Sequence, residues 1–264
     1  MFDCSILFIV LVWNHMQHYY ELFQDNGRRR VAIKLEIIQN QGELFNRAVD
    51  IISNSLKNGA KTFGLATGGT MLPLYERLRN SDLDFSTCQS VNLDEYVGIP
   101  KEHPESYHSY MNRQLFHAKP FKVINIPNGE AKDIHKEAND YEELLKTLTV
   151  NLQIIGVGEN GHIGFNEPGT PFNSETHVVE LAASTREANA RFFDSIEEVP
   201  KMAITMGIST ILRAECILLI ATGEKKRYAM EALLKGEITE DIPVTSILQH
   251  PNVMILTDLD LDVR

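Results

Sequence analysis

Cysteine is scarce in this 264-residue chain, which carries only Cys4, Cys88 and Cys216. Three scattered thiols cannot frame a disulfide-stapled fold or a zinc site. They fit a reducing, cytoplasmic compartment. Basic charge is also short, with 25 Lys and Arg against 36 Asp and Glu, a net charge of −11. Such a chain lacks the basic face that nucleic acid requires, so no nucleic-acid partner is expected. A few local donors could still hold a small anion. Long apolar runs are missing too. Ser5 to Trp13 (SILFIVLVW) falls well short of the ~18 residues of a spanning helix, so no membrane association is expected. Internal repeats, low-complexity linkers and obvious domain boundaries are not visible. The remaining composition, 43% hydrophobic and 23% charged, is that of a soluble globular protein. Its length suits one large domain or two small ones.

The first residues read differently from the rest. Asp3 stands where a secretory signal would carry basic charge, and Asn14-His15-Met16 replaces a small-residue cleavage site. A membrane-tethering helix, an interaction arm and an upstream extension foreign to the domain all compete here. The last is favoured: residues 1–32 are expected to be a non-native or disordered extension, with a natural start near Val31 to Ile33. Residues 33–264 are then expected to be a single domain.

From Ile33 onward, short β-rich runs alternate with longer amphipathic stretches. Glu43 to Leu56, Met71 to Leu78, Pro104 to Leu115, Glu130 to Leu145 and Glu224 to Leu234 carry apolar residues at helical spacing. Thr62 to Thr67, Ser90 to Leu93, Leu152 to Val157, Cys216 to Ala221 and Asn252 to Thr257 read as strands. The third and fourth of these are apolar enough to be buried on both faces. The alternation predicts an α/β fold, Rossmann-like and doubly wound, with a mainly parallel sheet and helices on both faces. Ligands of such sheets bind beyond the carboxyl ends of the strands.

Four motifs fall there. Ala66-Thr67-Gly68-Gly69-Thr70 joins a strand to a helix. Its glycines admit a close ligand, and the helix start offers free N–H groups to a phosphate or carboxylate. An ordinary turn with Thr70 as cap explains it equally well. Asp94-Glu95 follows an apolar strand and suits a general base or metal ligand, or a solvated acid pair. Gly156 to Gly169 (GVGENGHIGFNEPG) contains a Gly-x-Gly-x-x-Gly string. A dinucleotide fingerprint needs a helix from the third glycine, and Asn166, Pro168 and Pro171 leave little room for one. The segment instead gathers His162, which titrates near neutrality, with Asn160 and Glu167. A polar loop satisfying its own backbone is the alternative. His162 and Glu167 alone are too few for a metal, so none is expected. Arg191 and Lys226 are lone bases near the expected ligand edge, each also explicable as a surface charge.

Together these motifs resemble the glucosamine-6-phosphate deaminase (glucosamine-6-phosphate isomerase) family. The strings that carry the resemblance are LATGGT at 65–70, VNLDEYVGI at 91–99, HPESYHSYM at 103–111, GVGENGHIGFNEPGTPF at 156–172, EANARFF at 187–193 and TGEKK at 222–226. It covers the chain from about Ile33 onward. It implies conversion of glucosamine 6-phosphate and water to fructose 6-phosphate and ammonia, in amino-sugar catabolism, without metal or organic cofactor. His162 would open the sugar ring, supported by Asn160 and Glu167, and Asp94 would move the proton from C2 to C1. Thr67, Gly68, Gly69, Thr70, Arg191 and Lys226 would bind the substrate, with Arg191 in a mobile lid.

Two departures stand out. Some members carry aspartate where this chain has Asn160, so His162 lacks that negative neighbour. Members activated by N-acetylglucosamine 6-phosphate use a basic pair where this chain has His177 and Val179. No such activation is expected, and the oligomeric state stays open between monomer and homo-oligomer. Competing readings are a galactosamine-6-phosphate deaminase, a 6-phosphogluconolactonase and a sugar-phosphate sensor domain without catalysis. Asp94 with the GHIGFNEP string argues against the lactonase. The missing helix-turn-helix pattern argues against a repressor-type sensor.

Overall fold

The computed structural model describes residues 7–14, 17–25, 30–182, 186–187, 190 and 193–262. In chain order come β1 (Leu7–Asn14), β2 (Gln17–Asp25), β3 (Arg30–Ile37), α1 (Gln41–Lys57), β4 (Thr62–Leu65), α2 (Leu72–Arg79), β5 (Gln89–Asn92) and β6 (Asp94–Val97). Then follow α3 (Tyr107–Met111), extended by a π turn at Asn112–Phe116, β7 (Val123–Asn125), α4 (Ile134–Lys146), β8 (Leu152–Ile155) and β9 (His177–Glu180). The last are β10 (Met202–Thr205), α5 (Ile208–Ile211), β11 (Ile217–Ala221), α6 (Arg227–Lys235), a 3-10 run at Pro243–Gln249 and β12 (Asn252–Thr257).

Local chemistry explains the main helices. Asn40 caps α1 by accepting from Glu43 N at 3.1 Å, and Lys57 sits at the negative end of the dipole. Leu44, Ala48, Ile51 and Ile52 form its buried stripe. Asp133 caps α4 in the same way, accepting from Lys136 N at 2.9 Å.

The main sheet has the order β1-β2-β3-β12-β11-β8-β4-β5-β7. From β3 to β7 every pairing is parallel, while β1 and β2 form an antiparallel hairpin laid along β3. Ile154, Leu218 and Ile220 are fully buried in β8 and β11, as expected of central strands. Each such side chain contributes about 1.5–3 kcal/mol by leaving water.

Chain direction reverses once. From β3 the chain crosses by α1 to β4 and moves outward to β5 and β7. It returns by α4 to β8, then moves the other way through β11 and β12. Right-handed crossovers put the two helix series on opposite faces. The packing agrees: α1 contacts α2 and α2 contacts the π turn, whereas α6 contacts Pro243–Gln249. The fold is the doubly wound α/β sheet expected from the sequence, and its reversal lies between β4 and β8.

A second, antiparallel sheet of order β6-β10-β9 was not legible in the hydrophobic pattern. It sets Asp94 opposite Thr205, and His177 and Val179 lie on its β9 strand. Met206 N donates to Leu93 O at 2.7 Å, tying β10 to the residue before Asp94. Glu142 of α4 fastens the same sheet. Its buried carboxylate accepts from Thr176 Oγ1 at 2.6 Å, Thr210 Oγ1 at 2.8 Å and Arg213 at 2.6 Å. Burial pushes its pKa up, but these bonds outweigh it and hold the carboxyl below its ordinary range. Among the described residues, no helix is long and apolar enough to cross a membrane.

Candidate active site

A cavity of about 520 Å³ opens at the carboxyl ends of β4 and β8, where the chain reverses. Thr67, Gly68, Gly69, Thr70, Asp94, Asn160, His162 and Lys226 all line it. Residues from four separate motifs thus meet around one space. Glu167 stands behind Asn160, and Arg191 lies outside the described residues.

The glycine turn follows β4 and leads through a short 3-10 turn (Gly69–Met71) into α2. Its backbone is braced from outside the cavity. The Tyr110 hydroxyl donates to Gly68 O at 2.9 Å, and the Tyr75 hydroxyl donates to Ala66 O. Thr67 is within hydrogen-bond reach of the Tyr107 hydroxyl, another cavity-lining group.

The two adjacent acids divide their work. Glu95 turns away and caps α3. It accepts from Tyr107 N at 2.9 Å and His108 N at 2.8 Å, besides its own neighbour Tyr96 N. Asp94 faces the cavity and is 6% exposed. Burial, reinforced by the nearby Glu95 charge, pushes its pKa up to about 8. A carboxyl held near neutrality can both take and give a proton.

Opposite it lies a linked trio. His162 Nδ1 is 2.7 Å from Asn160 Oδ1, and Asn160 Nδ2 donates to Glu167 Oε2 at 2.8 Å. An amide oxygen only accepts, so Nδ1 carries the proton. In the neutral ring Nε2 is then the basic nitrogen. Burial lowers the His162 pKa, while the Glu167 charge, 3.6 Å from Nδ1, opposes that shift. The ring lies directly on Gly158, where a Cβ would come within 2.1 Å of His162 Cε1, so no larger residue fits there. The expected absence of a helix after Gly161 is correct, since Ile163 and Asn166 form a tight antiparallel bridge instead.

That bridge is bolted to the smaller sheet. Asn166 Nδ2 donates to Ile163 O and to Met206 O, both at 2.8 Å, and Phe165 N donates to Thr205 Oγ1 at 3.2 Å. Thr205 and Met206 therefore fix the His162 loop and the Asp94 strand to one another.

Lys226 closes the cavity from the segment after β11, and burial lowers its pKa. Its neighbour Lys225 pairs with Glu159 at 3.0 Å across the rim. Sequence reasoning missed Tyr107, Phe165 and Glu159 as cavity residues. Tyr107 and Phe165 stack with ring planes 7° apart and centroids at 6.2 Å, a contact between segments 58 residues apart. Only the fold brings such a pair together.

A family profile described as glucosamine-6-phosphate isomerases/6-phosphogluconolactonase matches residues 39–255. The glucosamine-6-phosphate deaminase of Lysinibacillus sphaericus is 56% identical over 207 residues, which is 78% of this chain and 94% of that protein. That of Lactobacillus delbrueckii subsp. bulgaricus is 49% identical over 226 residues, 86% of this chain and 97% of its own length. Among solved structures, a monomeric glucosamine-6-phosphate deaminase superposes with a TM-score of 0.81 at 43% identity, covering 84% of this chain and 96% of that one. A 6-phosphogluconolactonase from Thermotoga maritima has a TM-score of 0.66 at 17% identity over 85% of this chain and 98% of its own, a likeness of fold alone. By profile, sequence and fold, the chain belongs to the glucosamine-6-phosphate isomerase/6-phosphogluconolactonase family.

Proposed function

We propose that this protein converts glucosamine 6-phosphate and water to fructose 6-phosphate and ammonia. One observation carries the reading: a buried carboxylate, Asp94, faces an imidazole–amide–carboxylate trio across a cavity that also holds a glycine turn and a lysine. A lactone hydrolase needs no base placed at a second carbon, whereas an aldose–ketose isomerisation does.

The phosphate binds at Gly68, Gly69 and Thr70, with Thr67 beside it and with Lys226 and Arg191 as charged donors. Nε2 of neutral His162 takes the proton from the O1 hydroxyl and returns it to the ring oxygen as the C1–O5 bond breaks. Asn160 and Glu167 steady the imidazolium formed between these transfers. Asp94 removes the C2 proton and delivers it to C1, giving a C2 imine by way of an enolamine. Water adds to the imine carbon and ammonia leaves, so the C2 carbonyl of fructose 6-phosphate forms. The substrate's ammonium favours ionised Asp94, which supplies the base form that burial alone disfavours.

The same reading assigns residues 33–264 to the catalytic domain and residues 1–32 to an extension. Free Cys88 and Cys216 support a reducing, cytoplasmic setting. The test is a coupled assay following ammonia and fructose 6-phosphate, with Asp94→Asn as control. Equal release of both products, abolished by the substitution, is expected. Saturable sugar-phosphate binding without turnover would favour a sensor.

A further inference from the structure

Two segments of the fold repeat each other, although the sequence shows no repeat at a glance. Leu65-Ala66-Thr67-Gly68 ends β4, and Ile220-Ala221-Thr222-Gly223 ends β11. Gly68 and Gly223 have nearly the same backbone, φ 99° and ψ 170° against φ 87° and ψ 150°. Each opens a 3-10 turn closed by a bond from its third residue, Met71 N to Gly68 O at 3.1 Å and Lys226 N to Gly223 O at 3.0 Å. A helix follows each turn. The neighbouring strands extend the match. Leu65 pairs with Asn92 and Ile220 with Leu256, so Asp94 and Asp258 hold equivalent positions, each two residues beyond its pair.

The two aspartates then part. Asp94 faces the cavity. Asp258 returns to its own turn, where Oδ1 accepts from Gly223 N at 2.8 Å and Oδ2 from Gln41 Nε2 at 2.7 Å. We propose that Asp258 is a positioning residue: its carboxylate sits as a built-in anion on the second glycine turn and thereby holds Lys226 at the substrate cavity. This inference rests on the function proposed above and names a further residue that serves the same site.

The physical need is plain. Glycine at positive φ is free but entropically loose, so a turn built on Gly223 requires an anchor. A half-buried ammonium also gains by swinging out into water, and Lys226 is such a group. The charged bond from Gly223 N–H to Asp258 opposes both tendencies.

The experiment compares wild type, Asp258→Ala, Asp258→Asn, Lys226→Met and the double variant Asp258→Ala/Lys226→Met. Readouts are KM and kcat for glucosamine 6-phosphate and competitive inhibition by inorganic phosphate. Asp258→Ala is expected to raise KM and the phosphate inhibition constant about 5- to 20-fold with kcat within about twofold. Asp258→Asn, which keeps an acceptor oxygen, should recover most of the loss. In the Lys226→Met background, Asp258→Ala should add less than about twofold, because both changes remove one interaction. An unchanged KM in Asp258→Ala, or penalties that multiply in the double variant, would overturn the proposal. Should Asp258→Ala fail to fold, Gly223→Ala strains the same turn while its Cβ meets nothing within 4 Å. An unchanged KM in that variant is equally fatal. Wild type without ammonia release defeats the proposed function instead. Calorimetric phosphate binding across the same variants then still decides the role of Asp258.

Discussion

Asp94 carries a conflict between stability and use. Burial keeps it protonated to about pH 8, yet the proposed chemistry needs its carboxylate. In the free enzyme kcat/KM should therefore climb about tenfold per pH unit below pH 8 and level off above it. The acid limb of kcat should lie lower, because bound substrate brings a positive charge to the carboxylate. Profiles of both parameters between pH 5 and 9 check this, and superimposable limbs would contradict it. At His162 the neighbouring amide is the variable. Asn160→Asp puts a negative charge where Oδ1 now lies 2.7 Å from Nδ1. The imidazole pKa should rise in the variant, read by NMR titration of both forms. Equal values would remove Asn160 from the account.

At the scale of elements, legibility followed burial. β8 and β11 are covered on both faces and read as strongly apolar runs, interrupted only by Gln153 in β8, so sequence pattern alone found them. Helices α1 and α4 were legible through their stripes and caps. β6, β9 and β10 (DEYV, HVVE, MAIT) escaped, since charged or histidine residues end the first two and none carries the apolar run that marks a central strand. Most polar members of the site were legible because they cluster in the sequence after strands, although Glu159 within the same glycine-rich string was missed. Tyr107 and Phe165 were not, since each looks like any buried aromatic until the fold joins them. The repeat around Gly68 and Gly223 was hidden for a related reason. The shared residues are only a short Ala-Thr-Gly string and one distant aspartate, and the likeness of backbone around them shows only in the fold. Asn166 offers a test of how far one element holds another. Asn166→Ala removes two 2.8 Å bonds, one closing the His162 loop on Ile163 O and one joining it to Met206 O. A loss of about 2–3 kcal/mol in stability is expected, with kcat falling more than KM changes. Chemical denaturation and steady-state kinetics report the two effects separately. The β1-β2 hairpin offers another. A chain beginning at Ile33 keeps the pairing of Ile33 to Ile37 with Val253 to Thr257. It should retain full turnover while exposing the β3 edge, and so self-associate more readily at high concentration. Light scattering and the coupled assay measure this.

For the whole molecule, two buried carboxylates set opposite limits on stability against pH. Glu142 has a lowered pKa, so its contribution is complete above about pH 4.5 and fades as pH falls through its folded value. Asp94 has a raised pKa, so the native state binds an extra proton between about pH 4 and 8 and loses stability as pH rises through that window. Net charge −11 at pH 7 adds self-repulsion on the same alkaline side. Tm should therefore peak on the acid side of neutrality and decline toward pH 9. Asp94→Asn should flatten the decline and gain on the order of a few kcal/mol at pH 9, measured by calorimetric melts across pH. An unchanged alkaline slope would show that Asp94 is solvated.

The two groups proposed to move protons ride on different sheets. Asp94 begins a strand of the small antiparallel sheet, whereas His162 hangs from the end of β8 in the large parallel one. β6 nevertheless continues directly from β5 of the large sheet through Leu93, and Thr205 and Met206 add a second tie between the Asp94 strand and the His162 loop. A substitution at Asp94 itself can therefore remove that carboxylate while the glycine turn after β4 and the imidazole loop after β8 keep their own supports. One scaffold can thus alter its buried carboxylate without rebuilding the glycine turn beside it.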